Sequence, residues 1–327
     1  MRRPFRHSRY VLALLTPLLL MAVLNADVTL KYKTEVKLNP TLPPTIAEHA
    51  TQGMNGVLPP ESLIQVKGGK GVQSLMGITA IVDFAKQEIT LVDKEGKRYA
   101  TVPAAKIADE MTAAMPPVPE QAKAVAASMK SHYSSKPGGV ATIQGVEAEE
   151  KQMEITVDMP AMPNAPAGPM MRLVWHVWMP KAAPTNPAIR EIAGMNLFAY
   201  ATMNPAAMMA KAFQQMPGVG DAFEGMMKEM QSAEVPVVLR MHGEAYMPMI
   251  GAMMKQNPQA TALLAGFDPD AAFMTMNQDL AEISTAAIPD SVFQIPEGLK
   301  QVPASDILKD MMAKLAPPAR VPPASKK

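Results

Sequence analysis

Val28-Thr29-Leu30-Lys31-Tyr32-Lys33-Thr34-Glu35-Val36-Lys37-Leu38 sets Val28, Leu30, Tyr32, Val36 and Leu38 in alternation with Thr29, Lys31, Lys33, Glu35 and Lys37. An extended backbone sends successive side chains to opposite faces, so this period of two predicts a strand with one buried and one solvated face. After a Pro-rich stretch from Asn39 to Pro60, strand-like segments follow closely at Leu63–Val66, Val72–Leu75, Ile78–Phe84, Glu88–Val92 and Arg98–Val102. Gly68-Gly69 and Asp93-Lys94-Glu95-Gly96 separate them with turn chemistry. Connections this short leave no room for crossover helices, which predicts an antiparallel meander.

Farther along, the period changes. Ala104 to about Tyr133 reads as helical, with Ile107, Met111 and Met115 four residues apart and Pro116-Pro117 breaking the run. Val140–Ile143 and Val146–Val157 then flank Gln144-Gly145 as a hairpin. In the next strand, Met170 to Met179, one face carries Met171, Leu173, Trp175, Val177 and Met179, and the other Arg172, Val174, His176 and Trp178. Pro205 to Gln231 reads as two amphipathic helices, the second with a stripe of Phe223, Met226, Met227 and Met230. A strand from Val235 to Tyr246, a helix from Met247 to Ala265, strands at Leu280–Ile288 and Val292–Ile295 and a helix at Ala304–Leu315 complete the body. The tail 317–327 has no apolar period and is expected to be disordered.

At the N-terminus, Arg2, Arg3, Arg6 and Arg9 precede an apolar run from Val11 to Leu24, followed by Asn25, Ala26 and Asp27. Positive, apolar and cleavable in that order is the layout of an export signal, and the run falls short of the roughly 20 residues of a membrane-crossing helix. Residues 1–26 are therefore read as a signal peptide cleaved after Ala26, with an uncleaved anchor as the alternative; a periplasmic or secreted location follows. Residues 27–316 are read as a single domain with no stable membrane span of its own. The chain has no cysteine, which excludes disulfides, thiolate metal sites and a lipidated cysteine. A charged fraction of 19% and net charge of +1 provide no field for steering nucleic acid. The 30 methionines put much of the apolar volume into flexible thioethers suited to irregular gaps and pliant surfaces.

The stretch Ala141-Thr142-Ile143-Gln144-Gly145-Val146-Glu147-Ala148, the strand Trp175-His176-Val177-Trp178-Met179-Pro180, the segment Pro187-Ala188-Ile189-Arg190-Glu191 and the closing Ile288-Pro289-Asp290-Ser291-Val292-Phe293 together resemble an uncharacterised family of bacterial exported domains. That family is distantly similar to the periplasmic lipoprotein carriers of the LolA/LolB type. The resemblance implies an α+β fold whose curved antiparallel sheet, a half-barrel, is covered by helices and shelters acyl chains on its concave face. A Met-rich helical insertion at about 204–276 departs from the family pattern and stands where it could fill that groove.

No catalytic constellation emerges, and the chain is read as no enzyme and as carrying no cofactor. His7, His49, His132, His176 and His242 are scattered, away from zinc-ligand spacing. Gly68-Gly69-Lys70-Gly71 lacks phosphate-loop spacing, Gly218-Val219-Gly220 lacks the third glycine of a dinucleotide turn, and Asp268-Pro269-Asp270 lacks the rest of a calcium loop. The candidate ligand-binding residues are Met171, Leu173, Trp175 and Val177, read either as plain sheet core or as the lining of an apolar cavity. They would hold a lipid, another apolar ligand or a lipidated partner. Because thioethers select Cu(I), Met226, Met230, His242 and Met247 form an alternative copper-handling set. A structural interaction protein of the cell envelope is the third reading.

Overall fold

The computed structural model describes residues 27–44, 47, 48, 51, 59–75, 77–114, 124, 127–161, 167–182, 186–203, 217–233, 235–256 and 266–315. The signal segment 1–26, the tail 317–327 and the first of the two expected Met-rich helices, with Met209, Phe213 and Met216, lie outside the described residues.

Among the described residues twelve strands form one curved, unclosed sheet. In chain order they are β1 (Val28–Leu38), β2 (Glu61–Lys67), β3 (Lys70–Leu75), β4 (Ile78–Asp83), β5 (Glu88–Asp93), β6 (Arg98–Pro103), β7 (Lys130–Ile143), β8 (Val146–Met159), β9 (Gly168–Pro180), β10 (Arg240–Tyr246), β11 (Met274–Ser284) and β12 (Lys300–Gln301). Across the sheet the order is β12-β6-β5-β4-β3-β2-β1-β11-β10-β9-β8-β7. Two antiparallel meanders, β1 to β6 and β7 to β11, are thus sewn together where β1 pairs with β11. Only the short β12 runs parallel to its neighbour, β6. Bulges in the pairing at Lys31/Tyr32, Pro137/Val140 and Val157/Asp158 bend the strands, as extra residues in a ladder do. The β7–β8 turn is built by Gln144 at φ 49° and Gly145 at φ 76°, the positive pair that matches a two-residue hairpin to the strand twist.

The helices are α1 (Ile107–Ala114), α2 (Pro187–Met203), α3 (Pro217–Gln231), α4 (Pro248–Gln256) and α5 (Ala304–Leu315). Cross-strand register places Val28, Val66, Val82, Ile89 and Val102 on one face, continuous with Leu280, Met241, Val177 and Lys151 on the other meander. That face carries α2 at the seam, where Ala188, Ile189 and Ile192 pack on Val28, Leu30, Tyr32 and Leu280. It also carries α1 and α5 over β4 to β6, through Ile107, Ile307 and Leu308, and α3 over β7 to β9. The opposite face is covered only in part: the turn Asp290–Phe293 buries Ile288 and Phe293 against Val72, Ile81 and Val92.

Several sequence expectations change. The helical reading to Tyr133 overruns, because β7 begins at Lys130; its pairing with β8 captures residues whose local pattern is ambiguous. Val292–Ile295 was expected as a strand and is a 3-10 turn, since Phe293 must drop into an apolar pocket beside its own chain. Within the segment 204–276 the strand expected at Val235–Tyr246 is β10, shorter at its start, and it stands between α3 and α4 inside the second meander. Helix α2 goes unseen in the period count, although Asn186 caps it by accepting the Ala188 N–H at 3.0 Å and Pro187 occupies its first turn.

Candidate apolar binding face

β8, β9 and β10 lie side by side in a register that opposes Ile155, Leu173 and Ala245, and Met153, Trp175 and Gly243. Their alternation turns Met171, Leu173, Trp175 and Val177 to the helical face of the sheet together, as the period of two requires. Val177 is sealed, at 1% exposure, beside Met153 and Met179. Met171 and Leu173 pack with Ile155 and Val157 but stay partly open, as does Trp175.

Gly243 makes room for the indole. A Cβ placed on it would stand 2.2 Å from Trp175 Cζ3 and 2.5 Å from Cε3, so the Trp175 ring lies directly over bare backbone. An aromatic ring covering a strand glycine restores the contact that the missing side chain forfeits. No apolar period marks this glycine in the sequence; only the cross-strand register reveals its role.

Helix α3 covers the face. Ala222 is buried against Ile155 and Val157, and Met226 packs both against that cluster and against the neighbouring one of Met153, Val177 and Met179. Close approach is possible because Gly225 faces the Tyr133 ring, where a Cβ would come within 2.9 Å of Cδ1. A polar latch then fixes the helix: the Tyr133 hydroxyl donates to Glu229 Oε2 at 2.5 Å, and Lys151 Nζ pairs with Glu229 Oε1 at 3.1 Å. Burial pushes the Glu229 carboxyl upward, but hydrogen bonds from Ser135, Tyr133 and Lys151 outweigh it and hold the group below its ordinary range. Burial and the same carboxylate push the Tyr133 hydroxyl up. A cleft of about 330 Å³ lined by Ser135, Lys136, Glu149, Lys151, Met179 and Glu229 opens beside this latch.

The alternative metal set does not converge. Met226 belongs to the apolar face, and Met230 follows one turn later on α3. His242 is turned to the other side of the sheet, opposite His176, and Met247 lies in the link between β10 and α4. Among the described residues no group of three or more His, Cys, Asp or Glu side chains is arranged to hold a metal ion. Also among them, no helix is long and apolar enough to cross a membrane. What the sequence leaves hidden is the pairing of His176 with His242: 66 residues apart in the chain, they are direct neighbours across β9 and β10, with ring centroids 5.8 Å apart.

No family model matches the sequence, and no curated protein matches it. Among solved structures the chain is matched to the lipoprotein LppX of Mycobacterium tuberculosis, over 84% of this chain and 100% of that one, at 10% identity and a TM-score of 0.23. The functional reading that follows therefore stands on this chain's own residues.

Proposed function

We propose that the protein is an exported, non-enzymatic carrier or binding module, which holds an apolar ligand or a lipidated partner between the β8–β10 face and helix α3. One contrast carries the reading. Under α2 the packing is closed, with Ala188, Ile189 and Ile192 at 0% exposure. Under α3 the same face of the same sheet leaves Met171, Leu173, Trp175 and Met226 only partly covered. A sheet–helix contact whose buried floor of Met153, Ile155, Val157 and Val177 is rimmed by partly open thioethers and one indole, and fastened by a polar latch, is suited to parting around an acyl chain. Processing after Ala26 fits this reading, because it keeps Asp27, whose carboxylate accepts the Ile288 N–H at 2.6 Å.

The test is native mass spectrometry of protein purified from its own envelope, together with uptake of a fluorescent fatty acid. Bound lipid in the wild type, and loss of uptake on Leu173→Asp, are the expected results. Protein that carries no lipid and takes up no probe would sink the proposal. The copper-handling reading from Met226, Met230, His242 and Met247 loses ground, since Met226 and His242 face opposite sides of the sheet.

A further inference from the structure

The other sheet surface carries a polar row across six strands. Through the register, Glu35, Asn277, His242, His176, Gln152 and Lys136 form one row from β1 to β7. Most charges in this surface are already matched: Arg240 pairs with Asp279 at 2.6 Å and Arg172 with Glu154 at 2.9 Å. The two central imidazoles are different, because each is oriented by a neighbour on its far side.

His176 Nδ1 lies 2.5 Å from Glu150 Oε1, on β8. The other oxygen of Glu150 accepts the Gly139 N–H at 2.8 Å, and a carboxylate that accepts on both oxygens leaves the Nδ1 proton on His176 and Nε2 as the ring atom left for another partner. On the next strand, His242 Nδ1 lies 2.6 Å from Asn277 Oδ1, on β11. An amide oxygen also accepts, so His242 too presents Nε2. The two orienting groups sit on outer strands, β8 and β11, and pull the Nδ1 atoms apart. Both Nδ1 atoms being held by outer strands, the Nε2 atoms are the ring nitrogens left for a shared partner. Glu244 Oε1 stands 3.4 Å from His242 Nε2 and is itself steadied by the Tyr246 hydroxyl on its other oxygen at 2.8 Å.

From this geometry we infer a binding site for a divalent transition-metal ion, of the zinc or copper(II) class, clamped by Nε2 of His176 and Nε2 of His242. With a metal–nitrogen bond of about 2.1 Å and about 1.1 Å from ring nitrogen to ring centre, two ligating imidazoles have centres roughly 5 to 6.4 Å apart. The observed 5.8 Å falls inside that window. Glu150 and Asn277 act as outer partners that fix the tautomer and raise ligand basicity, as carboxylates and carbonyls do behind metal-bound histidines. Water completes the shell. The site is independent of the carrier reading, being on the other side of the sheet.

Calorimetric titration of the untagged, processed chain with Zn²⁺ and with Cu²⁺ tests the inference. One ion per chain is expected, with affinity lowered at least ten-fold by His176→Ala or His242→Ala. His132→Ala should leave it unchanged, since His132 is exposed on β7 and pairs with Asp158. The Trp178 ring lies 6.2 Å from that of His176, so Cu²⁺ should quench its emission, and Trp178→Phe should remove most of the quenching. Should an alanine variant fail to fold, His176→Gln and His242→Gln serve in its place. Absence of wild-type binding, or binding that survives both histidine variants, overturns the site. So does binding lost on Met226→Leu with Met230→Leu, which would move the metal to the methionines.

Discussion

Gly243→Ala should destabilise the protein through Trp175, and the effect should vanish when Trp175 is absent. A methyl group at 243 would sit 2.2, 2.5 and 3.0 Å from Cζ3, Cε3 and Cη2 of the indole. Carbon atoms in contact prefer about 3.5 to 4.0 Å, so the ring must retreat by more than 1 Å, on the order of a full atomic radius. Laterally it has nowhere to go, because Met153 and Val177 beside it are each 1% exposed. It must rise against Met226 and loosen α3. Overpacking of this kind costs about 1 to 3 kcal/mol, and removing a strand glycine returns about 0.5 kcal/mol. The net loss is about 0.5 to 2.5 kcal/mol. Trp175→Ala, which truncates a partly buried aromatic, costs about 3 kcal/mol.

In the double variant the new methyl occupies space the indole has left, so the total should stay at about 3 kcal/mol and not reach the sum of about 3.5 to 5.5, a coupling of roughly 0.5 to 2.5 kcal/mol. Urea unfolding followed by far-UV circular dichroism reads all four corners without depending on the altered fluorophore. Additive losses, or a single Gly243→Ala variant within about 0.5 kcal/mol of wild type, would refute the ring-over-glycine geometry.

The latch offers a pH prediction. Glu229 is held below its ordinary 4.5 in the folded chain, so its contribution is fully present above that value and is lost as the pH falls from there through the lower folded-state value. Glu229→Gln should remove about 1 kcal/mol at pH 7 and flatten the acid limb of the stability curve between pH 5 and 3, roughly the span of carboxylate titration. In the closed core, Ile189→Ala should cost about 3 to 5 kcal/mol in thermal or urea unfolding, because Ile189 on α2 is 0% exposed against the sheet. Lys67 donates to the Ile288 carbonyl at 2.6 Å and pairs with Asp290 at 2.9 Å, so Lys67→Met should speed amide exchange across 288–293 and leave α3 unaffected.

Legibility followed the reach of each signal. The meander from β1 to β6 could be read from the chain because its turns are short and its faces alternate; the same holds for Ala304–Leu315, whose Ile307, Leu308 and Met311 make one stripe. The apolar set Met171, Leu173, Trp175 and Val177 was likewise visible as one face. Partners more than a hairpin away were not. Nothing local in Met241-His242-Gly243-Glu244 announces that the glycine receives an indole or that the histidine meets a second imidazole; both follow from pairing with a strand some 66 residues earlier. Helix α2 was missed for a different reason. Its apolar stripe is diluted by Gly194 and Asn196, and its local signal is the Asn186-Pro187 start, which a search for period alone passes over.

The same strands serve two unlike surfaces, and the sequence order makes that unavoidable. On β9 the residues alternate Leu173, Val174, Trp175, His176, Val177 and Trp178, so anything that shifts the register by one residue exchanges the apolar lining for the histidine row. The Trp175–Gly243 contact therefore does more than fill space: it is a register pin for β9 against β10, and through it for His176 against His242. A variant that frees the indole, such as Gly243→Val, should then weaken fatty-acid uptake and metal binding together, although the two sites share no atom. Measured side by side in one folded sample, loss of one activity with full retention of the other would show that β9 is held in register by its backbone ladder alone.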